Sequence, residues 1–313
     1  MRVLVTGGLG FIGSNFIEYV LKHRNWSVLN IDRCDYCARV HNVEPAGPRY
    51  SYIQADITNM SKMKKVFQEF RPELVVHFAA QSHVDRSFEN TWDYIHDNII
   101  GTYTLLECLK EMPVKFIHVS TDEVYGEVEL DEVSTVEKSV LNPTNPYSAT
   151  KASAELLVKA YGHSFGTPWI MTRGNNVFGP KQYPEKVIPK FVTQILDGKP
   201  CTIHGAGTSR RNFIYVDDVS RALLTVAEKG SVHTVYNIGT RNEFSVLQIF
   251  NILRNLMNEQ AECVHVGDRP HNDKRYAVDS SALQALGWTE EASFVDVLRK
   301  TIEWYKDHPT WYA

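Results

Sequence analysis

Three glycines spaced three apart, Gly7, Gly10 and Gly13, lie between a short β-branched run at 3–6 and an amphipathic segment at 11–22. Between a strand and a helix each glycine has its own task. The first permits a tight turn, the second lets backbone approach a pyrophosphate, and the third lets the helix pack closely on the strand. The helix N-terminus adds unpaired N–H groups and the positive end of its dipole. Glycine-rich turns are common, and the strand–loop–helix setting is what makes this one a dinucleotide signal.

The rest of the first half keeps the same rhythm. Strand-like runs at 27–31, 50–54, 74–78, 116–120 and 169–172 alternate with helical patterns near 60–70, 91–111 and 147–165. This alternation predicts an α/β fold, a Rossmann-type doubly wound parallel sheet covered on both faces. After Gly174 the rhythm loosens, and proline, glycine and aromatics crowd 178–189. We expect an NAD-binding domain over 1–174, with 212–238 returning to it. A smaller mixed α/β substrate lobe takes most of 175–313.

Composition excludes several classes. A net charge of −4 over 313 residues offers no basic field for nucleic acid. No apolar run approaches the roughly 18 residues of a membrane span. Residues 2–6 are apolar too briefly for a secretory signal. Five cysteines, Cys34, Cys37, Cys108, Cys201 and Cys263, are odd in number and scattered, which suits reduced thiols in the cytoplasm. Cys34 and Cys37 have C-x-x-C spacing, but no second Cys or His pair completes a zinc site, so no metal is expected.

Asp32 follows the second strand-like run, about 20 residues beyond the glycine loop. A carboxylate there can bond ribose hydroxyls and repels a 2′-phosphate, which favours NAD over NADP. The plain alternative is a solvated strand-end carboxylate. Arg33 beside it could serve a 2′-phosphate. Asp56 can meet the adenine amino group or cap a helix.

The chemistry gathers in two segments. Tyr147 and Lys151 are four apart on a helical pattern that follows the turn signals at 142–146, so they share one face. A nearby ammonium and a cationic nicotinamide both favour phenolate, and the Tyr147 pKa is expected to fall towards working pH. Ser120 or Thr121, at the end of a strand, can bond the same substrate hydroxyl. Asp122 and Glu123 come next. Close carboxylates resist double ionisation, so one tends to keep a proton and can act as acid to its neighbour's base. A surface acid pair or a helix cap is the plain alternative.

The glycine loop together with Tyr-x-x-x-Lys resembles the extended, sugar-nucleotide-modifying branch of the short-chain dehydrogenase/reductases. The Asp122–Glu123 pair narrows the resemblance to nucleotide-glucose 4,6-dehydratases, since sugar epimerases of that branch usually carry small residues there. Residues 79–85, 172–180, 183–186 and 268–270 agree, and the resemblance runs from residue 1 to about 308. Residues 35–37 and 172–180 look most like the UDP-glucose dehydratase portion of rhamnose synthases. The Arg269-Pro270 region and residues 301–305 also look like dTDP-glucose enzymes.

The resemblance implies a bound NAD and three steps. Tyr147 takes the 4-hydroxyl proton as C4 is oxidised, with Thr121 holding the 4-oxygen. Glu123 removes the C5 proton while Asp122 protonates the departing 6-hydroxyl. Hydride then returns to C6. It implies cofactor contacts at Gly7, Gly10, Phe11, Ile12, Gly13, Asp32, Arg33, Asp35, Asp56, Ile57, Ala79, Ala80, Ser82, Ser120, Tyr147, Lys151 and Val177. Substrate contacts fall at Ser82, Thr121, Asn176, Lys186 and Val187, with Arg211 and Arg269 on the diphosphate. Asn98 lies near the cofactor and could be structural. Helices at 91–111 and 147–165 would pair across a two-fold axis in a homodimer. Three rival readings stand beside this one. An epimerase or decarboxylase is opposed by Asp122–Glu123, a GDP-mannose dehydratase using NADP by Asp32, and a silent NAD-binding scaffold by the intact Tyr, Lys, Asp and Glu.

Overall fold

The computed structural model describes residues 1–43, 47–129, 134–268, 273–291 and 293–312. Strand β1 (Arg2–Thr6) leads through the glycine loop into α1 (Phe11–His23), followed by β2 (Ser27–Asp32), β3 (Tyr50–Gln54), α2 (Met60–Phe70) and β4 (Leu74–His77). Two short helices, α3 (Val84–Glu89) and α4 (Thr91–Tyr94), a π turn at Ile95–Ile100 and α5 (Gly101–Glu111) lead to β5 (Lys115–Thr121). A 3-10 turn at Asp122–Tyr125, the long α6 (Pro146–Phe165) and β6 (Trp169–Gly174) complete the first half.

The second half runs β7 (Asn176–Phe178), α7 (Val187–Leu196), β8 (Cys201–His204), β9 (Arg210–Tyr215), α8 (Val216–Lys229) and β10 (Thr234–Ile238). After these come β11 (Glu243–Ser245), α9 (Val246–Met257), β12 (Cys263–Val266), α10 (Ser281–Gln284) and α11 (Phe294–Asp307).

Among the described residues seven strands form one parallel sheet in the order β10-β6-β5-β4-β1-β2-β3. The doubly wound parallel sheet expected from the sequence is present. Consecutive residues of β1 and β4 are apolar and buried, as a sheet covered on both faces requires. On one face Phe16 and Val20 of α1 and Val219 and Leu223 of α8 cover Val3, Val5 and Val28. On the other, Met63 of α2, Leu105 and Leu109 of α5 and Val158 of α6 cover Leu4, Leu29, Phe116 and Met171. A separate core of Phe178, Phe191, Phe213, Phe250 and Phe294 joins α7, α9, α11 and their short strands.

Two elements differ from the sequence reading. The helix expected at 91–111 is interrupted by the π turn, whose extra residue per turn accompanies two buried polar side chains, Asp97 and Asn98. Of the stretch 212–238, α8 packs on the large sheet and β10 pairs with β6. β9 instead pairs with β7 and β11 in a three-stranded sheet, so its hydrogen bonds are satisfied away from the main sheet.

Candidate active site

The chain winds outward in opposite directions from β1, to β2 on one side and β4 on the other, and leaves a crevice at the carboxyl ends of these strands. The glycine loop forms its floor. Gly7 has φ +74°, and a Cβ there would lie 2.5 Å from the Ala79 backbone nitrogen. A Cβ on Gly13 would lie 2.5 Å from the Gly7 carbonyl oxygen. Gly10 is different: a Cβ there would meet only the Gly7 oxygen, at 3.4 Å. Gly10 lines the cleft, so the demand for glycine comes from what approaches it. Gly10 is also the N-cap of α1 and brings no side-chain cap, which leaves first-turn N–H groups for an anion.

Asp32 is buried, unlike a solvated strand-end acid. Its Oδ2 accepts from Leu9 N at 2.9 Å and its Oδ1 from Cys34 N at 2.8 Å, so it ties the glycine loop to the turn after β2. Each oxygen keeps a lone pair for a ribose hydroxyl. Arg33 is held by three other acids: Asp97 at 2.8 and 2.5 Å, Asp35 at 2.7 Å and Asp56 at 3.4 Å. One guanidinium thus stands among four carboxylates, those of Asp32, Asp35, Asp56 and Asp97. That field disfavours a 2′-phosphate and suits NAD. Asp56 takes Thr58 N and Oγ1 on its Oδ1, and the cap of α2 is Asn59. Ser120 Oγ, Thr172 Oγ1 and Gln182 Oε1 belong to residues lining the cleft and are buried with no protein partner. Such orphaned groups, with the open approach at Gly10, fit a polar cofactor.

β5 delivers Thr121 to the crevice, and the 3-10 turn that follows presents the two acids. Asp122 is 2% exposed. Its Oδ2 accepts from Asn175 Nδ2 at 2.7 Å, and Thr121 Oγ1 donates to its Oδ1 at 3.3 Å. Burial, and then the neighbouring Glu123 charge, push its carboxyl up to about 7. Glu123 accepts from Asn145 Nδ2 at 3.1 Å. Burial raises its carboxyl too, while Lys186, Asn145 and Arg211 pull it back. Both carboxyls are raised, so the pair holds a proton more readily than two free acids would, and Lys186 and Arg211 offset part of the rise at Glu123.

Asn145 also caps α6 in a reciprocal capping box with Ser148, and Pro146 opens the helix. Tyr147 is thereby fixed at the helix entrance, with the Thr121 hydroxyl beside its phenol. The expected fall in the Tyr147 pKa does not come from the protein's own groups. The protein's own groups raise the Tyr147 phenol pKa: burial does most, and the Glu123 and Asp122 charges add to it. Lys151 does not reverse this. Its Nζ donates to the Val119 carbonyl at 2.8 Å, and burial lowers its own pKa to about 8.

The opposite wall carries the substrate candidates. Lys186 donates to the Ser82 carbonyl at 2.8 Å and precedes α7, which begins at Val187. Asn176 and Val177 line the cleft from β7. Arg211 donates to the Asp273 carbonyl at 2.8 Å and lies 4.7 Å over the Tyr276 ring. Arg269 falls outside the described residues. Phe11, Ile12, Ile57, Ala79 and Ala80 line the same cleft, as does every other candidate from the sequence except Arg269.

Sequence reasoning missed Gln81, Asp97, Asn145, Asn175, Asp273 and Tyr276. Asn145 alone carried a local signal, as an Asn before Pro at a helix start. Asn98 is spent on structure: it bonds both backbone groups of Gln81, at 2.8 and 3.0 Å, and Thr150 Oγ1 at 2.9 Å.

Residues 3–239 match the NAD dependent epimerase/dehydratase family. The chain is 43% identical over 320 residues to a trifunctional UDP-glucose 4,6-dehydratase/UDP-4-keto-6-deoxy-D-glucose 3,5-epimerase/UDP-4-keto-L-rhamnose-reductase of Arabidopsis thaliana. All of this chain is covered but only 48% of that protein, so the chain spans about half the length of this relative. It is also 43% identical to the dTDP-D-glucose 4,6-dehydratase of Mus musculus, over 97% of this chain and 88% of the mouse protein. A crystal structure of a Streptomyces venezuelae dTDP-glucose 4,6-dehydratase with NAD and dTDP bound superposes with a TM-score of 0.95 at 36% identity. That match covers 99% of this chain and 98% of the other.

Proposed function

The chain belongs to the NAD dependent epimerase/dehydratase family, and from that premise we propose that it is an NAD-dependent 4,6-dehydratase of a nucleotide-activated glucose. UDP-glucose is the favoured substrate and dTDP-glucose the next. The product is the 4-keto-6-deoxy sugar, an early step towards rhamnose and other deoxysugars. The observation that carries this reading is the adjacent acid pair lining the cleft beside Tyr147, Asp122 held by Asn175 and Glu123 by Asn145. A 4-epimerase leaves the C6 hydroxyl in place and has no use for such a pair.

NAD, held by the glycine loop and Asp32, supplies when bound an acceptor for the hydride of C4 and the donor that returns it to C6. A bound nicotinamide, being cationic, would favour the phenolate that burial disfavours; as phenolate Tyr147 takes the proton of the 4-hydroxyl, and Thr121 holds the same oxygen. Lys151 stands one helical turn along and is cationic below about pH 8. A ketone at C4 makes the C5 proton acidic, and Glu123 removes it. Asp122 gives its proton to the departing 6-hydroxyl, which leaves as water. Glu123 returns its proton to C5, after which Asp122 regains a proton and Tyr147 releases one. Arg211 and Arg269 clamp the diphosphate, and Ser82, Asn176, Lys186 and Val187 line the sugar-nucleotide arm.

We assign 1–174, with the return of 212–238 through α8 and β10, to the cofactor, and most of 175–313 to the sugar nucleotide. Trp92 is 66% exposed and Leu156 60%, with Ile100, Tyr103 and Phe165 also outward. These apolar side chains lie on the α4–α5 segment and on α6, and they support a homodimer through a four-helix contact. All five cysteines are free, which suits the cytoplasm. Among the described residues no helix is long and apolar enough to cross a membrane.

Mass spectrometry and chromatography of a reaction without added NAD test the reading. UDP-glucose or dTDP-glucose should lose one water. Sugar recovered unchanged, or inverted at C4, overturns it. Both nucleotides in one tube should show UDP-glucose consumed first.

A further inference from the structure

Arg173, near the end of β6, is the largest side chain among the described residues to be wholly buried. The reaction above makes no use of it. Its Nε lies 2.9 Å from Glu155 Oε1 and its Nη2 2.5 Å from Oε2, and Glu155 is itself fully buried. Nη1 donates to the Glu137 carbonyl at 3.2 Å, and the guanidinium carbon stands 4.6 Å over the Tyr125 ring. A well-packed apolar pair can fill such a space with no loss of stability, so stability alone is a weak reason for a buried ion pair.

What the ion pair joins gives a better reason. Glu155 lies on α6, one turn beyond Lys151 and two beyond Tyr147. Tyr125 closes the 3-10 turn that carries Asp122 and Glu123, and its hydroxyl donates to Asn237 Oδ1 at 2.8 Å. Asn237 is the register partner of Arg173 across β6 and β10. The turn grows from β5 and the helix enters after residue 145, so neither inherits its position from the other through continuous backbone hydrogen bonds.

We propose that Arg173 is a positioning residue that holds the acid-pair turn and the Tyr147–Lys151 helix in one register. The proposal rests on the dehydratase reading. Only a planar guanidinium can offer its fork to Glu155, a third N–H to the Glu137 carbonyl and its face to Tyr125 together. The Asn145–Glu123 bond is a second, lighter tie between the same two elements.

Arg173→Met alone strands the Glu155 charge and is expected to unfold the protein. The test therefore uses two other variants beside wild type. One is Arg173→Met combined with Glu155→Leu, and the other is Tyr125→Leu, which keeps the ion pair. Both should fold and bind NAD. In both, kcat should fall about 10- to 100-fold, the range for an ångström-scale misplacement, with KM unchanged. In Tyr125→Leu, which keeps Glu155 beside Lys151, enzyme-bound NADH should accumulate with substrate, because oxidation outruns a misaligned elimination. A general structural loss slows both steps together and leaves no NADH. That outcome, or wild-type kcat in the folded variants, overturns the proposal. A defect in the double variant alone also overturns it, because Glu155 supports the Lys151 charge directly. A wild-type chain that removes no water defeats the dehydratase reading, and the proposal falls with it. A working wild type beside unaffected variants defeats the proposal only.

Discussion

Replacing Asp122 by Asn measures what the acid pair costs the fold. Asp122 is 2% exposed, and its carboxyl stands at about 7 against an ordinary 3.8. A rise of about three units, at about 1.36 kcal/mol each, is worth about 4 kcal/mol. The folded protein binds this proton more tightly than the unfolded chain does. The stabilising contribution is therefore fully present below about pH 4 and is lost as pH rises to about 7. Asn has nearly the same shape, never ionises, and still accepts from Asn175. The variant should match wild type near pH 4 and exceed it near pH 8. The gap should be at most about 4 kcal/mol, an upper bound because Glu123 shares the titration. Urea unfolding at the two pH values is the assay. An equal gap at both, or a wild type more stable at pH 8, would refute the reasoning.

Other outcomes follow from the same geometry. Asn175→Ala removes a 2.7 Å hydrogen bond to the Asp122 carboxylate. Such bonds are worth about 1.5–3 kcal/mol, so the basic limb of kcat/KM should move upward by about one unit or more. An unmoved limb counts against Asp122 as the acid. Glu123→Gln should slow water loss far more than oxidation and leave bound NADH visible with substrate, whereas equal loss of both steps removes Glu123 from the C5 proton. Trp92→Glu combined with Leu156→Glu should halve the mass seen by light scattering if the exposed helix faces pair, and an unchanged mass excludes that contact.

Local pattern carried the sheet, because β1 and β4 carry short runs of consecutive buried apolar residues and the strands alternate with helical patterns. Asp32 was legible for the same reason: its spacing from Gly7 is fixed by one βαβ unit. Asn175 and Tyr276 were not legible, since their roles arise where β6 exits and where a distant loop folds back on Arg211. Spacing shows Lys151 on the same helical face as Tyr147 but not its ammonium bound to the Val119 carbonyl, nor how far burial raises the phenol. Arg33 likewise reads as a free cation until Asp97, 64 residues away, is brought against it by the π turn.

Nucleotide-glucose deuterated at C4, supplied without added NAD, tests the central claim in one spectrum. The account expects a product lighter by one water that carries the deuterium at C6. Deuterium still at C4 with no water lost, or deuterium released to solvent, contradicts it.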